Sequence, residues 1–145
     1  MSTRPNVEPR AARIEAPATQ QPASTVMAIA ALVVGWLIPG GGHLLQKRWG
    51  RGLLLMFAIT TMFVLGVLME GKVYSPNTGD ILDILGFVGD IGAGLLYILT
   101  QAMDWGTGAI QIATADYGTK YIIVAGLLNI IAAVDAHNIA LGKKK

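Results

Sequence analysis

Two apolar runs meet at an elbow that reads Pro39-Gly40-Gly41-Gly42-His43 and then Gln46-Lys47-Arg48-Trp49-Gly50-Arg51. Proline stops the helix before the elbow, because its ring clashes with the preceding turn and its nitrogen donates no hydrogen bond. Beyond the elbow, Gly52 to Met69 carries no charge. Such runs need either lipid or a large apolar core. The chain has 145 residues, 53% hydrophobic and 14% charged. Small domains keep much of their surface in water, and soluble ones average about 25% charged residues. Lipid is the remaining solvent. The fold class that follows is all-α: a polytopic membrane protein, a small bundle of about four hydrophobic helices with the Pro-Gly-rich basic elbow between helices 1 and 2.

Residues 1–22 hold four of the six prolines, with Ala, Thr, Gln and mixed charge, and read as a disordered tail. A cleavable signal peptide fits poorly, since the apolar run starts late and ends in Pro-Gly-Gly-Gly instead of a small-x-small site. Residues 23–142 form the expected helical membrane domain, and residues 143–145 a basic end.

Segment 1 spans about Ala23 to Ile38 and reaches roughly 24 Å at the helical rise, slightly short of a ~30 Å hydrocarbon core. Segment 2, Gly52 to Met69, is the cleanest crossing. Glu70 to Asp80 is a loop rich in turn formers. Segment 3, Ile81 to Gln101, gathers Asp83, Gly86, Asp90, Ala93, Gly94, Tyr97 and Gln101 on one face when wound at helical pitch. A carboxylate at mid-helix is costly in lipid, so that stripe faces protein, water or headgroups. Residues 102–118 are expected to be a glycine-punctuated connection, with a short interfacial helix anchored by Trp105 and Tyr117. Segment 4, Thr119 to about Leu141, sets Gly126, Asn129, Ala132, Ala133, Ala136, His137 and Ala140 opposite Ile123, Leu127, Ile130, Ile131 and Val134. Small residues allow close backbone approach, and Asn129 can hydrogen-bond across the contact.

Charge and length disagree on topology. With four crossings, Arg4, Arg10, Arg13, Lys72 and Lys143–Lys145 share one side, against Lys47, Arg48, Arg51 and Lys120. If segment 1 is re-entrant and segment 3 interfacial, the split becomes nine to two, because only Lys72 and Lys120 remain opposite. The length of segment 3, roughly 30 Å, favours four crossings, which is the expectation adopted.

No stretch carries a convincing catalytic motif, so no enzymatic activity and no cofactor are expected. The glycine-rich elbow lacks the phosphate-loop pattern: His43 stands where lysine should be, and no Ser or Thr follows. A tight turn whose His43, Lys47, Arg48 and Arg51 rest on anionic headgroups explains the same residues. Asp135 and His137, two apart on a helix, point about 160° from each other and cannot chelate one ion, so no metal site is expected. The absence of cysteine excludes disulfides and thiolate ligands. The three basic clusters are not interleaved with stacking aromatics, which argues against nucleic acid as a partner.

The run Trp36-Leu37-Ile38-Pro39-Gly40-Gly41-Gly42-His43 with Trp49-Gly50-Arg51-Gly52-Leu53-Leu54 resembles the opening of a family of small bacterial membrane proteins classified only as a domain of unknown function. The likeness continues in Glu70-Gly71-Lys72-Val73-Tyr74, Gly92 to Tyr97, Tyr117 to Tyr121, Val124 to Asn129 and Asp135-Ala136, covering about residues 26–142. It implies a multi-pass protein of a bacterial cytoplasmic membrane and brings no activity with it. The elbow is also distantly similar to a two-pass domain with a Gly-x-Gly-x-His-x-Phe-Tyr-x-Gly linker. Leu44 and Leu45 replace the aromatic pair here, and Gln46 the glycine.

Two functions follow from the residues. The first is a non-enzymatic scaffold or accessory protein that packs with itself, as a homo-oligomer, or with partner membrane proteins in the lipid bilayer. Asp90, Gly94, Tyr97, Gly126 and Asn129 form its candidate packing site, with Asp90 buried against segment 4 and hydrogen-bonded to Asn129. The alternative is a small oligomeric transporter or channel component with Asp90 and Asn129 lining a polar path.

Overall fold

The computed structural model describes residues 25–75, 80–107 and 113–143; the expectations for the 1–22 tail and for Lys144 and Lys145 lie outside these. The described residues form six helices: α1 (Thr25–Leu37), α2 (Gly41–Leu45), α3 (Trp49–Leu68), α4 (Ile81–Ile91), α5 (Leu95–Ala102) and α6 (Ala113–Ala140). Two of them, α3 with 20 residues and α6 with 28, are long and apolar enough to cross a membrane. The apolar pattern of segments 1, 2 and 4 survives with shifted ends. Helix α6 begins before Thr119, so Tyr117 belongs to its first turns and not to a separate interfacial helix.

The long helices run antiparallel. Gly66 and Gly71 at the end of α3 meet Gly118 and Thr119 at the start of α6, so tightly that a Cβ at any of the first three would strike the other backbone. The backbone N–H of Lys72 then donates to the Thr119 hydroxyl at 2.9 Å. Ile59, Phe63, Ile122 and Ala125 fill the space between α3 and α6.

Segment 1 is not one long helix; its apolar helix has only 13 residues. Helix α1 turns at Ile38-Pro39-Gly40, where Gly40 takes φ 73°, and α2 folds back along it: Gly41 lies against Val34, and Gly42 against Ala31 and Ala136. Ala28, Ala31, Ala136 and Ala140 pack α1 against the last turns of α6. The α1–α2 hairpin therefore enters beside the C-terminal end of α6, reaches the level of Asn129, and returns to the elbow.

Segment 3 is not one straight helix either. It breaks at Gly92–Gly94, where Gly94 takes φ 60°, and α5 leaves at 111° to α4. Helix α4 starts beside the strap formed by residues 72–74: Lys72 Nζ lies 4.0 Å from Asp83, and the Tyr74 ring covers Gly86. After α5 the chain comes back to the same strap. Lys72 and Thr107 form an antiparallel bridge, and Val73 N–H donates to Gly106 O at 2.9 Å. Four crossings would put residues 72 and 107 at opposite ends of the bundle; they are neighbours instead. Three glycines within Gly92-Ala93-Gly94 and the preceding Gly89 remove the side-chain bulk and rigidity a straight helix would need.

Two hairpins thus enter from opposite ends, each followed by one long helix. The halves share further detail. Each hairpin turns at a left-handed glycine, Gly40 or Gly94, and ends in a left-handed charged residue, Lys47 (φ 59°) or Asp104 (φ 54°). Each then enters a Trp-Gly-x-Gly stretch, Trp49-Gly50-Arg51-Gly52 or Trp105-Gly106-Thr107-Gly108. Each long helix closes on another left-handed residue, Glu70 (φ 59°) or Gly142 (φ 72°). In chain path the fold is an inverted repeat of a turned helix pair plus a long helix, although α2 lies along α1 while α5 does not lie along α4.

Candidate functional site

The hairpin tips meet against the middle of α6, and one side chain holds both. A helix end leaves its last carbonyls without partners, and here two such ends lie deep in the bundle. Asn129, fully buried, donates through Nδ2 to Trp36 O at the end of α1 (2.7 Å) and to Gly92 O at the end of α4 (3.0 Å). The Trp36 indole N–H adds a bond to Ile91 O at 3.0 Å. The backbones come together because glycines allow it. A Cβ at Gly94 would strike Trp36 O, and one at Gly126 would strike Gly89 O.

Asp90 is fully buried, as expected, but its partner is different. Its Oδ2 accepts the backbone N–H of Tyr74 at 2.7 Å, and Asn129 is spent elsewhere. The reason is rotational. Gly89 and Gly92 form the stripe of α4 that faces α6, packing on Ile123, Gly126 and Ile130. Asp83, Gly86 and Asp90 form the adjacent stripe, which faces the 72–74 strap. The Tyr97 hydroxyl donates to Tyr74 O at 3.4 Å, and its ring meets Phe87 edge-on at 6.1 Å. Burial, then the carboxylates of Asp83, Asp90 and Asp116, hold the Tyr74 phenol above its ordinary range. Asp90 Oδ1 and Asn129 Oδ1 are buried with no donor among the described residues.

At the elbow, His43 is 1% exposed and does not reach headgroups. Its Nε2 lies 3.3 Å from Asp135 Oδ2, and Gln46 Nε2 donates to Gly42 O and Ala136 O at 3.0 and 2.7 Å. These contacts tie the α1–α2 return to α6. Lys47 and Arg51 are exposed and Arg48 half-exposed, as a headgroup-facing cluster requires. Asp135 and His137 form no shared ligand set, and no group of three metal-ligating side chains occurs among the described residues.

The structure thus joins Gly94, Gly126 and Asn129 in one junction and Asp90 with Tyr97 in the neighbouring one. Trp36, Gly92, Tyr74 and Gly89 are the members that helical periodicity did not select. The glycine run itself was the signal for Gly89 and Gly92, while Trp36 and Tyr74 stand outside it.

A family model described as a family of unknown function, DUF6677, matches residues 30–145. No curated protein and no solved structure matches the chain.

Proposed function

Because the chain belongs to the DUF6677 family of unknown function, its role must be argued from geometry, and we propose that it is an integral membrane scaffold or accessory protein without enzymatic activity. In this reading α3 and α6 cross a bacterial cytoplasmic membrane, and the two hairpins dip in from opposite faces. Irregular backbone at membrane depth is tolerated only where protein satisfies it. The observation that carries the proposal is the pair of hydrogen bonds that Asn129 donates to Trp36 O and Gly92 O: the amide that a polar path would need is consumed in holding the fold shut.

Charge supports the same topology. With two crossings and two hairpins, the sequence assigns nine basic residues to the elbow side and only Lys72 and Lys120 to the other, and the positive-inside rule then sets the elbow side in the cytoplasm. The outward face of α3 is apolar, with Leu54, Phe57 and Leu68 at 68%, 74% and 73% exposure. That surface suits lipid and a second membrane protein or a second copy. A photo-crosslinking residue at Phe57 in native membranes tests it. Discrete protein adducts, absent when the same residue sits at buried Ile59, are expected; lipid adducts alone would contradict a scaffold.

The transporter reading keeps one observation, the buried Asp90 whose Oδ1 finds no donor among the described residues. Proton or cation flux in reconstituted vesicles, abolished by Asp90→Asn at unchanged melting temperature, would establish it in place of the scaffold.

A further inference from the structure

Between α3 and α5 lies a cavity of about 750 Å³, within the usual ~300–1,000 Å³ range of small-molecule sites. Its walls are apolar, with Phe63, Val67, Leu96 and Leu99 among them. Glu70, Asp104 and Trp105 also line it, and no lysine or arginine among the described residues does. From these observations we infer that the cavity binds a lipophilic cation, with the apolar body between α3 and α5 and the positive charge held by Glu70, Asp104 and the Trp105 ring.

Three features of this polar lining attract positive charge. The two carboxylates make no ion pair among the described residues, where Lys72 is drawn to Asp83 and the Tyr74 ring, and Lys120 to Asp116. Both carboxylates sit just past helix C-termini, the negative ends of the α3 and α5 dipoles. The indole face of Trp105 adds a cation–π surface. Folding alone explains none of this placement. Glu70 and Asp104 adopt φ 59° and 54°, a left-handed conformation that glycine takes at least cost, and a negative charge there opposes the helix dipole. The other half of the inverted repeat supplies the comparison. At the matching positions stand Gly142, which relieves the backbone, and Lys47, which suits the dipole. Acids at both positions occur only where the cavity is.

This site goes beyond the scaffold role and does not depend on it. Equilibrium dialysis of radiolabelled tetraphenylphosphonium against the full chain in phosphatidylcholine nanodiscs, with empty nanodiscs subtracted, tests it. Saturable binding of about one cation per chain is expected. The isosteric anion tetraphenylborate should show no saturable component, a comparison that needs no variant. Glu70→Gln with Asp104→Asn should weaken the cation at least about tenfold while the melting temperature is kept. Trp105→Leu should weaken it less. Equal binding of cation and anion would make the cavity a plain apolar recess filled by lipid chains, and would overturn the proposal. So would the absence of saturable binding, or an undiminished affinity in a folded double variant.

Discussion

The side-chain amide of Asn129 donates to the carbonyl oxygen of Trp36 at 2.7 Å, although the two residues lie on helices α6 and α1 and 93 positions apart. Its second proton goes to Gly92 O, so one residue closes the ends of helices that come from opposite ends of the bundle. Removing it leaves both carbonyls without this donor. Asn129→Ala is expected to lower stability by roughly 1–3 kcal/mol, the cost of unsatisfied buried groups. Asn129→Asp should be nearly as damaging, since a carboxyl supplies at most one of the two protons. Thermal melting in mild detergent reads both; an Asn129→Asp protein that melts like the wild type would show that donation is not the role of this residue.

Glycine substitutions separate close approach from mere helix propensity. Gly126→Ala sets a methyl against Gly89 O, and Gly94→Ala combines a left-handed backbone with a clash on Trp36 O. Each is expected to cost at least about 1–3 kcal/mol. Gly50→Ala, whose Cβ would meet nothing within 4 Å, should be neutral or stabilising by up to about 1 kcal/mol. Comparable losses at all three positions would remove the packing argument.

The left-handed charged residues give a prediction of opposite sign. Lys47, Glu70 and Asp104 each precede a residue whose N–H closes a helix end: Arg48 to His43 O, Gly71 to Gly66 O and Trp105 to Thr100 O. Glycine in these positions relieves strain of about 1 kcal/mol. Lys47→Gly and Asp104→Gly should therefore raise the melting temperature. If the carboxylates hold a cation, Asp104→Gly should also lose affinity, stability gained where function is given up.

Much of the architecture was legible in the chain. The alternation of bulky and small residues identified the stripe of α6: Gly126, Asn129, Ala132, Ala133, Ala136 and Ala140 are buried, and His137, expected with them, is half-buried. The expected helix from Ile81 to Gln101 failed for a physical reason. Periodicity treats an apolar run as continuous, and glycines at 89, 92 and 94 are compatible with either a close contact or a break. Here they serve both. The expected Asp90–Asn129 pair failed for another reason: α4 turns its Gly89–Gly92 stripe to α6, which leaves Asp90 facing Tyr74. His43 looked like a surface group because its neighbours Lys47, Arg48 and Arg51 are; only the fold-back of α2 brings Asp135 to it. The inverted repeat was within reach of the sequence through Trp49-Gly50-Arg51-Gly52 and Trp105-Gly106-Thr107-Gly108, yet the unequal lengths of α3 and α6 conceal the period.

The meeting of two opposed hairpins at Asn129 requires that residues 72 and 107 share a face of the membrane. Single cysteines at Ser2, Lys72, Thr107 and Lys145, placed in a chain that has none of its own, can be probed in intact cells with an impermeant thiol reagent. Labelling at both 72 and 107, with positions 2 and 145 protected until the membrane is opened, is the expected pattern. Protection at 72 with reaction at 107 would mean four crossings, and would contradict the fold on which everything above depends.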